Sequence, residues 1–280
     1  MRINMLGILL VSFLFLYNSQ AIAQDDGKLG GFEDAVKGEK SNESEDGDED
    51  DGGGFLGFLF EIGIDFFFNN DSHHSYTEEE EEEEEGLRFG AYPFDSIGMV
   101  NQNYHGKNYL GRISGGVQHI DARINAFKLN ARIQFNGQYG LELDYSDFTE
   151  RRARSTDHLQ IIGVNYRNLL IAENNLLLAG NIGLTIINPD NFKDTDYGLN
   201  IAADLQWFFA DQLSLNAKLG YAPILQYLHY AEPPGLWDME IGTGVHLKNI
   251  EFFASYKTLI PTFNTSSALF GPELGIRFWF

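Results

Sequence analysis

The last eight residues, Glu273 to Phe280, alternate strictly. Leu274, Ile276, Phe278 and Phe280 fall on one side of an extended chain, and Glu273, Gly275, Arg277 and Trp279 on the other. A period of two marks a strand with two chemically different faces. The same period recurs upstream. Phe127, Leu129, Ala131, Ile133 and Phe135 alternate with Lys128, Asn130, Arg132 and Gln134. Beyond a short Asn136-Gly137-Gln138 turn, Tyr139, Leu141, Leu143 and Tyr145 alternate with Gly140, Glu142, Asp144 and Ser146. Runs at 197–207 and 213–221 repeat the pattern. In a soluble sandwich the polar faces look at water. Here they are rich in Gly and small residues, while the apolar faces carry aromatics at their ends, as in a barrel wall that is apolar outside and polar inside.

The spacing behind the terminal aromatic carries a resemblance. Glu273, Gly275, Phe278 and Phe280 resemble the closing strand of bacterial outer-membrane β-barrels, in which a polar residue, a Gly and two aromatics recur at this spacing. The resemblance covers residues 109–280 by pattern and the last strand alone by motif. It implies an antiparallel up-and-down transmembrane β-barrel in the bacterial outer membrane, and recognition of those four residues by the barrel-assembly machinery.

Ten runs fit strands, at about 109–119, 124–135, 139–148, 158–167, 176–187, 197–208, 213–222, 237–247, 250–258 and 271–280. Their connectors alternate in length. Residues 136–138, 209–212 and 248–249 are short, as periplasmic turns should be, and 149–157, 188–196, 223–236 and 259–270 are longer, as extracellular loops should be. Residues 168–175 are the poor fit, long for a turn. Eight strands result if the first pair is irregular, and twelve if segments 55–68 and 87–94 join the wall.

Ahead of the barrel (107–280) the chain divides four ways. Residues 1–23 read as a cleaved secretory signal: Arg2, an apolar run from Met5 to Tyr17, and Ala21-Ile22-Ala23, which fits a small-residue cleavage site. That run is short of the roughly 20 residues of a membrane helix. Residues 24–85 carry 23 acidic and 3 basic residues, whereas 86–280 carry 18 and 15, so the net charge of −22 is almost wholly amino-terminal. Residues 24–54 have too little apolar surface to offset ordering and are expected to be disordered and periplasmic. Segment 55–68 fits two templates, a strand with Phe58, Phe60, Ile62, Ile64, Phe66 and Phe68 on one face, or an interfacial or plugging helix with Gly57, Glu61 and Asp65 as its polar stripe. Residues 69–106 form an acidic linker and lead-in.

At eight to ten strands a barrel interior is narrow and filled by side chains. Alternation sends Lys128, Arg132, Glu142, Asp144, Asp204, Lys218, Glu240, Glu251, Lys257, Glu273 and Arg277 inward, with both signs near balance, so an ion-paired lumen is expected. A rim hydrolase needs a nucleophile, a base and a carboxylate within hydrogen-bond reach. The best trio is Ser146, His158 and Asp144, among scattered rim residues that include His119, Asp121, Asp147, His229 and Asp238. None of these sits in a pattern specific to a barrel enzyme, and the default is no enzymatic activity. Arg151, Arg152 and Arg154 form a basic loop suited to lipopolysaccharide phosphates. His73-His74 and the run Glu78–Glu85 would hold divalent cations loosely, but no calcium loop or zinc spacing is present. The absence of Cys rules out a lipid anchor on Cys, disulfides and thiol chemistry. No cofactor motif appears, and the charge has the wrong sign for nucleic acid. The leading expectation is a structural or interaction role in the envelope, followed by a narrow pore for ions or small solutes, then a rim-site lipid or peptide hydrolase.

Overall fold

The computed structural model describes residues 27–37, 88–90, 92–94, 100–101, 106–135, 139–153, 155–189, 195–210, 212–228, 233–263 and 265–280. The signal segment, residues 55–68, His73, His74, Glu78–Glu85, Arg154 and His229 lie outside the described residues.

Ten strands close into one antiparallel barrel: β3 (Tyr109–His119), β4 (Ile124–Phe135), β5 (Tyr139–Arg151), β6 (Thr156–Ala172), β7 (Leu176–Pro189), β8 (Asp196–Ala210), β9 (Leu213–Pro223), β10 (Gly235–Leu247), β11 (Ile250–Pro261) and β12 (Leu269–Trp279). Each pairs with its neighbours in sequence, and β12 returns to pair with β3 from Glu273↔Gln118 to Trp279↔Arg112. Reciprocal backbone hydrogen bonds of 2.8 and 2.9 Å between Gly111 and Phe280 finish the seam. Gly111 is required there, because a Cβ would stand 2.2 Å from the Phe280 ring.

The troublesome connector 168–175 has a simple origin. β6 continues to Ala172, and an irregularity between Leu169 and Ile171 breaks the alternation where the strand would otherwise be legible. The true turn is only 173–175. All turns between β4–β5, β6–β7, β8–β9 and β10–β11 therefore lie at one end, called the turn end, and the longer connections at the other, the loop end.

Outward side chains form an apolar belt. Ile113, Val117, Leu129, Leu141, Leu143, Val164, Leu219, Ile241 and Leu274 are all exposed. Aromatic pairs edge it: Trp207 and Phe209 at the turn end, 5.5 Å apart, and Tyr221 and Trp237 at the loop end, 4.6 Å apart. Such a belt is stable against lipid and costly in water.

Two findings depart from the sequence expectation. Residues Lys28–Lys37, inside the stretch expected to be disordered, form helix α1. Leu29, Phe32, Ala35 and Val36 share one buried face, and that face, which the acidic surroundings mask in composition, is what orders them. The lead-in strand β1 (Arg88–Phe89) pairs with β2 (Val100–Asn101) as a separate two-stranded piece, so 88–89 do not enlarge the wall.

Candidate functional site

The lumen has three layers. At the loop end, Leu29, Phe32 and Val36 of α1 pack against Ile120, Ile124, Phe148, Leu159, Ile187, Ile224, Leu236, Leu259 and Leu269, drawn from around the ring. Glu150, near the end of β5, accepts hydrogen bonds from the Lys28 and Leu29 amides at 3.0 and 2.9 Å, satisfying the free N–H groups of the first helical turn. Burial, against the opposing pull of Asp121 and Glu150, holds the Lys28 ammonium below its ordinary pKa. At the turn end, Phe89 and Val100 of the lead-in join Leu110, Leu169, Leu177, Ala179, Phe208 and Trp279, with Tyr92 and Phe94 against them. The turn residue Asn174 accepts from the Val100 amide at 2.9 Å and anchors the lead-in there.

Between these apolar layers lies the charged one. Lys128, Arg132, Glu142, Asp144, Asp204, Lys218, Glu240, Glu251, Lys257, Glu273 and Arg277 all face inward. The Arg132 Nε donates to Glu142 at 2.7 Å, and its Nη2 also donates to Asp204. Lys128 pairs with Glu273 at 3.2 Å, Lys218 with Asp144 at 3.7 Å, and Arg277 with Glu251 at 2.6 Å and Glu240 at 3.7 Å. Several of these links join strands that are not neighbours: β4 to β8, β4 to β12, β5 to β9.

Three further charges belong to the network. Arg167 donates to Asp204 at 3.1 Å and is almost wholly buried. Arg112 donates to Asn130 at 2.9 Å and stacks its guanidinium 5.6 Å from the Trp279 ring. Asp238 holds both Lys218 and Lys257 at 3.2 Å. Among the described residues the layer thus holds seven cations (Arg112, Lys128, Arg132, Arg167, Lys218, Lys257, Arg277) against seven carboxylates (Glu142, Asp144, Asp204, Asp238, Glu240, Glu251, Glu273). Among them lies a cavity of about 70 Å³. Arg112 and Arg167 share the parity of Ser114 and Asn165 and were readable as inward by alternation. Asp238 reads as a rim residue only because β10 begins at Gly235, earlier than its apolar run suggests.

The hydrolase trio does not converge. Ser146 has the inward parity of Glu142 and Asp144, whereas His158 stands opposite Thr149 on the outward parity and is exposed. His158 instead meets Thr149 at 3.4 Å and Asp147 at 3.7 Å. A wall separates this base from its nucleophile. His119 also faces out, 2.8 Å from Asn125.

A second Ser–His–carboxylate group, absent from the sequence reading, lies near the turn end. Ser214 Oγ stands 2.9 Å from His246 Nε2 and donates to Glu251 at 3.4 Å. Hydrolytic relays place the acid on the other ring nitrogen. Here Glu251 approaches Nε2 at 3.8 Å, and the buried Nδ1 has no hydrogen-bond partner among the described residues. All three side chains are 0% exposed, under the rings of Phe94 and Phe208. The group is packing rather than a reaction centre.

Of the basic loop, Arg152 is committed to Asp157 and lies 3.8 Å from Glu150, beside the start of α1. Arg151 is exposed, and its amide donates to the carbonyl of Arg123, also exposed. Glu273 and Gly275 turn inward and Phe278 and Phe280 outward; a Cβ on Gly275 would lie 2.3 Å from the Gly115 carbonyl. No group of three His, Cys, Asp or Glu residues able to hold a metal ion occurs among the described residues.

A closed ring with an apolar exterior, a charged interior and short turns at one end is a transmembrane β-barrel of the outer-membrane type. Similar solved structures are barrels too. They include outer-membrane OmpT of Vibrio cholerae (11% identity, TM-score 0.31, 57% of each chain covered), and Ail, the attachment invasion locus protein of Yersinia pestis (13%, 0.30, 62% of this chain and 99% of that one). The translocator domain of autotransporter NalP from Neisseria meningitidis is a third (10%, 0.34, 63% and 90%). This chain spans under two thirds of the length of the Vibrio protein. No protein-family model and no curated protein sequence matches the chain.

Proposed function

We propose that this protein is an integral outer-membrane β-barrel with a structural or interaction role in the envelope, and not a conduit. The observation that carries the reading is the lumen: balanced charges paired across its width, about 70 Å³ of open volume, and an apolar layer closing each end. The outward loop-end rim, with Arg123 and Arg151 exposed, suits phosphates of lipopolysaccharide, while Arg152 is already paired within the fold. No catalytic role is assigned to Ser146, His158 or Asp144.

Single-channel recording of the refolded protein tests this. Silence is expected from full-length protein whose folded state is verified by heat-dependent gel mobility. Steady openings would refute the reading. Comparison with a chain starting at Gly86, which lacks α1, tests the second reading, a narrow pore. Openings confined to the truncated chain would make α1 a stopper.

A further inference from the structure

The outer wall is not equally apolar around its circumference. At the loop end, the outward positions on β8–β12 are Tyr197, Tyr221, Trp237, Ile260 and Phe270. On β3–β6 they are His119, Asn125, Thr149 and His158, which stand opposite one another in a single row across four strands. The next row toward the turn end pairs Asp147 with Gln160, and Gln160 in turn accepts from Asn188 of β7 at 3.3 Å. Their chain neighbours Ile120, Ile124, Phe148, Leu159 and Ile187 are buried in the loop-end layer, which fixes these polar side chains on the outside. Length shows that the polar sector is not merely raised out of the membrane. A tilted barrel strand needs about 9–11 residues to span the bilayer. The outward apolar run covers nine residues on β9 (Leu213 to Tyr221) and eleven on β12 (Phe270 to Phe280), but seven on β5 (Tyr139 to Tyr145). Asp147 and Thr149 therefore lie at a depth that apolar side chains occupy elsewhere, where acyl chains alone would leave them without partners.

The charge at the rim of this sector is positive. Arg123 and Arg151 are joined by a backbone hydrogen bond of 3.0 Å, and both side chains are exposed without an ion pair among the described residues. The carboxylates beside them are occupied. Asp121 accepts from the Arg123 and Ile124 amides at 2.8 and 2.9 Å, Asp157 holds Arg152, and Glu150 takes the first amides of α1. We propose that the loop-end outer wall of β3–β6 is a docking face for one phosphorylated sugar lipid of the surrounding leaflet. Arg123 and Arg151 take its phosphates, and the row from His119 to His158, with Asp147 and Gln160 below it, exchanges hydrogen bonds with its sugar hydroxyls. This rests on the lipopolysaccharide contact proposed above and deepens it, by laying the sugars against the wall instead of above the rim. Four strands at about 4.8 Å spacing make the row roughly 14 Å wide, room for a disaccharide and far more than one phosphate fills. A phospholipid would satisfy the two arginines and leave the row unpaired.

Native mass spectrometry of the full-length protein, in detergent micelles doped with purified diphosphoryl lipid A, counts the lipid retained per barrel. One lipid A is expected on the natural protein. T149L/H158L removes hydrogen-bonding partners from the wall and leaves both arginines, and its retained fraction should fall about tenfold, the equivalent of one or two hydrogen bonds. T149S/H158Q keeps polar groups at the same positions and should hold the lipid. Retention by T149L/H158L at the natural level would overturn the wall face. If R123Q/R151Q lost the lipid in that case, the rim contact alone would survive. No retention by the natural protein would remove both readings. Phosphatidylglycerol held as tightly as lipid A would overturn the sugar-lipid assignment, and this comparison needs no variant to fold. Dimer masses that vanish in T149L/H158L would show that a second copy covers the face, and would overturn the proposal too.

Discussion

Replacing Asp204 by Asn tests the charged layer where it is most interdependent. Asp204 accepts from Arg132 and, at 3.1 Å, from Arg167, while Glu142 takes Arg132 at 2.7 Å and lies 3.7 Å from Arg167. Removing the Asp204 charge leaves two buried guanidiniums sharing one carboxylate. Hydrogen bonds to charged groups contribute about 1.5–3 kcal/mol each, and breaking a buried ion pair costs about 3–5 kcal/mol. Because Asn keeps one acceptor, the expected loss is about 3–4 kcal/mol. Urea unfolding in lipid vesicles, followed by Trp fluorescence and gel mobility, measures it. Removing Arg167 as well, as Met, restores equal numbers of each sign. The Asp204→Asn/Arg167→Met protein should therefore be more stable than the sum of the two single losses by about 2 kcal/mol. A single-variant loss under about 1 kcal/mol, or strict additivity, would show that these charges are hydrated independently and that the layer is not a network.

Gly275→Val should cost about 3 kcal/mol or abolish the folded gel band, since its Cβ would meet the Gly115 carbonyl at 2.3 Å and the Phe253 ring at 2.5 Å. The matching Ile276→Val should be nearly silent, and equal losses in the two would remove the close-approach argument. Docking of α1 should strengthen as pH rises. The seated Lys28 has a lowered pKa, so the docked state disfavours its charge, and that penalty is relieved between the lowered value and the free-amine value near about 10.5. An environment-sensitive dye on D34C should report this drift, and Lys28→Met should flatten it. Arg123→Gln with Arg151→Gln should weaken lipopolysaccharide binding in a salt-sensitive way without altering stability, whereas unchanged binding would discard the rim contact. In any hydrolytic assay, Ser146→Ala and His158→Ala should leave the signal unchanged, and a parallel loss in both would contradict their separation by the wall.

Architecture was legible because a barrel wall writes itself twice, in side-chain period and in connector length. The limits of β3 and β4 follow from alternation alone, as both begin and end on runs without bulges. β6 did not read to its end because the irregularity at Leu169 and Ile171 breaks the period. Helix α1 went unread for another reason. Leu29, Phe32 and Val36 have helical spacing, but ten residues with two glycines make no stable helix alone, and the partners that order them come from distant strand ends. Alternation also sent the right charges inward, yet could not pair them. On the sheet Lys218 stands opposite Asp204 and Glu240, but it bonds across the lumen to Asp144 and beside it to Asp238. Such choices depend on the bore and the strand stagger, which no local pattern encodes. The separation of Ser146 from His158 was available from parity once the β5–β6 register was known, and only then.

The cross-lumen links bear on how the ring comes together. Arg132 and Asp204 lie 72 residues apart in sequence and four strands apart in the ring. Until β8 arrives, Arg132 can reach Glu142 on the adjacent strand but has only half its counter-charge. Until β12 arrives, Lys128 has no Glu273 and Glu251 no Arg277. A half-built sheet would therefore keep its charged face wetted, and water leaves only when the last strand meets the first. Dehydration and closure become one event, so the barrel should open and shut in a single concerted transition without a populated partial ring.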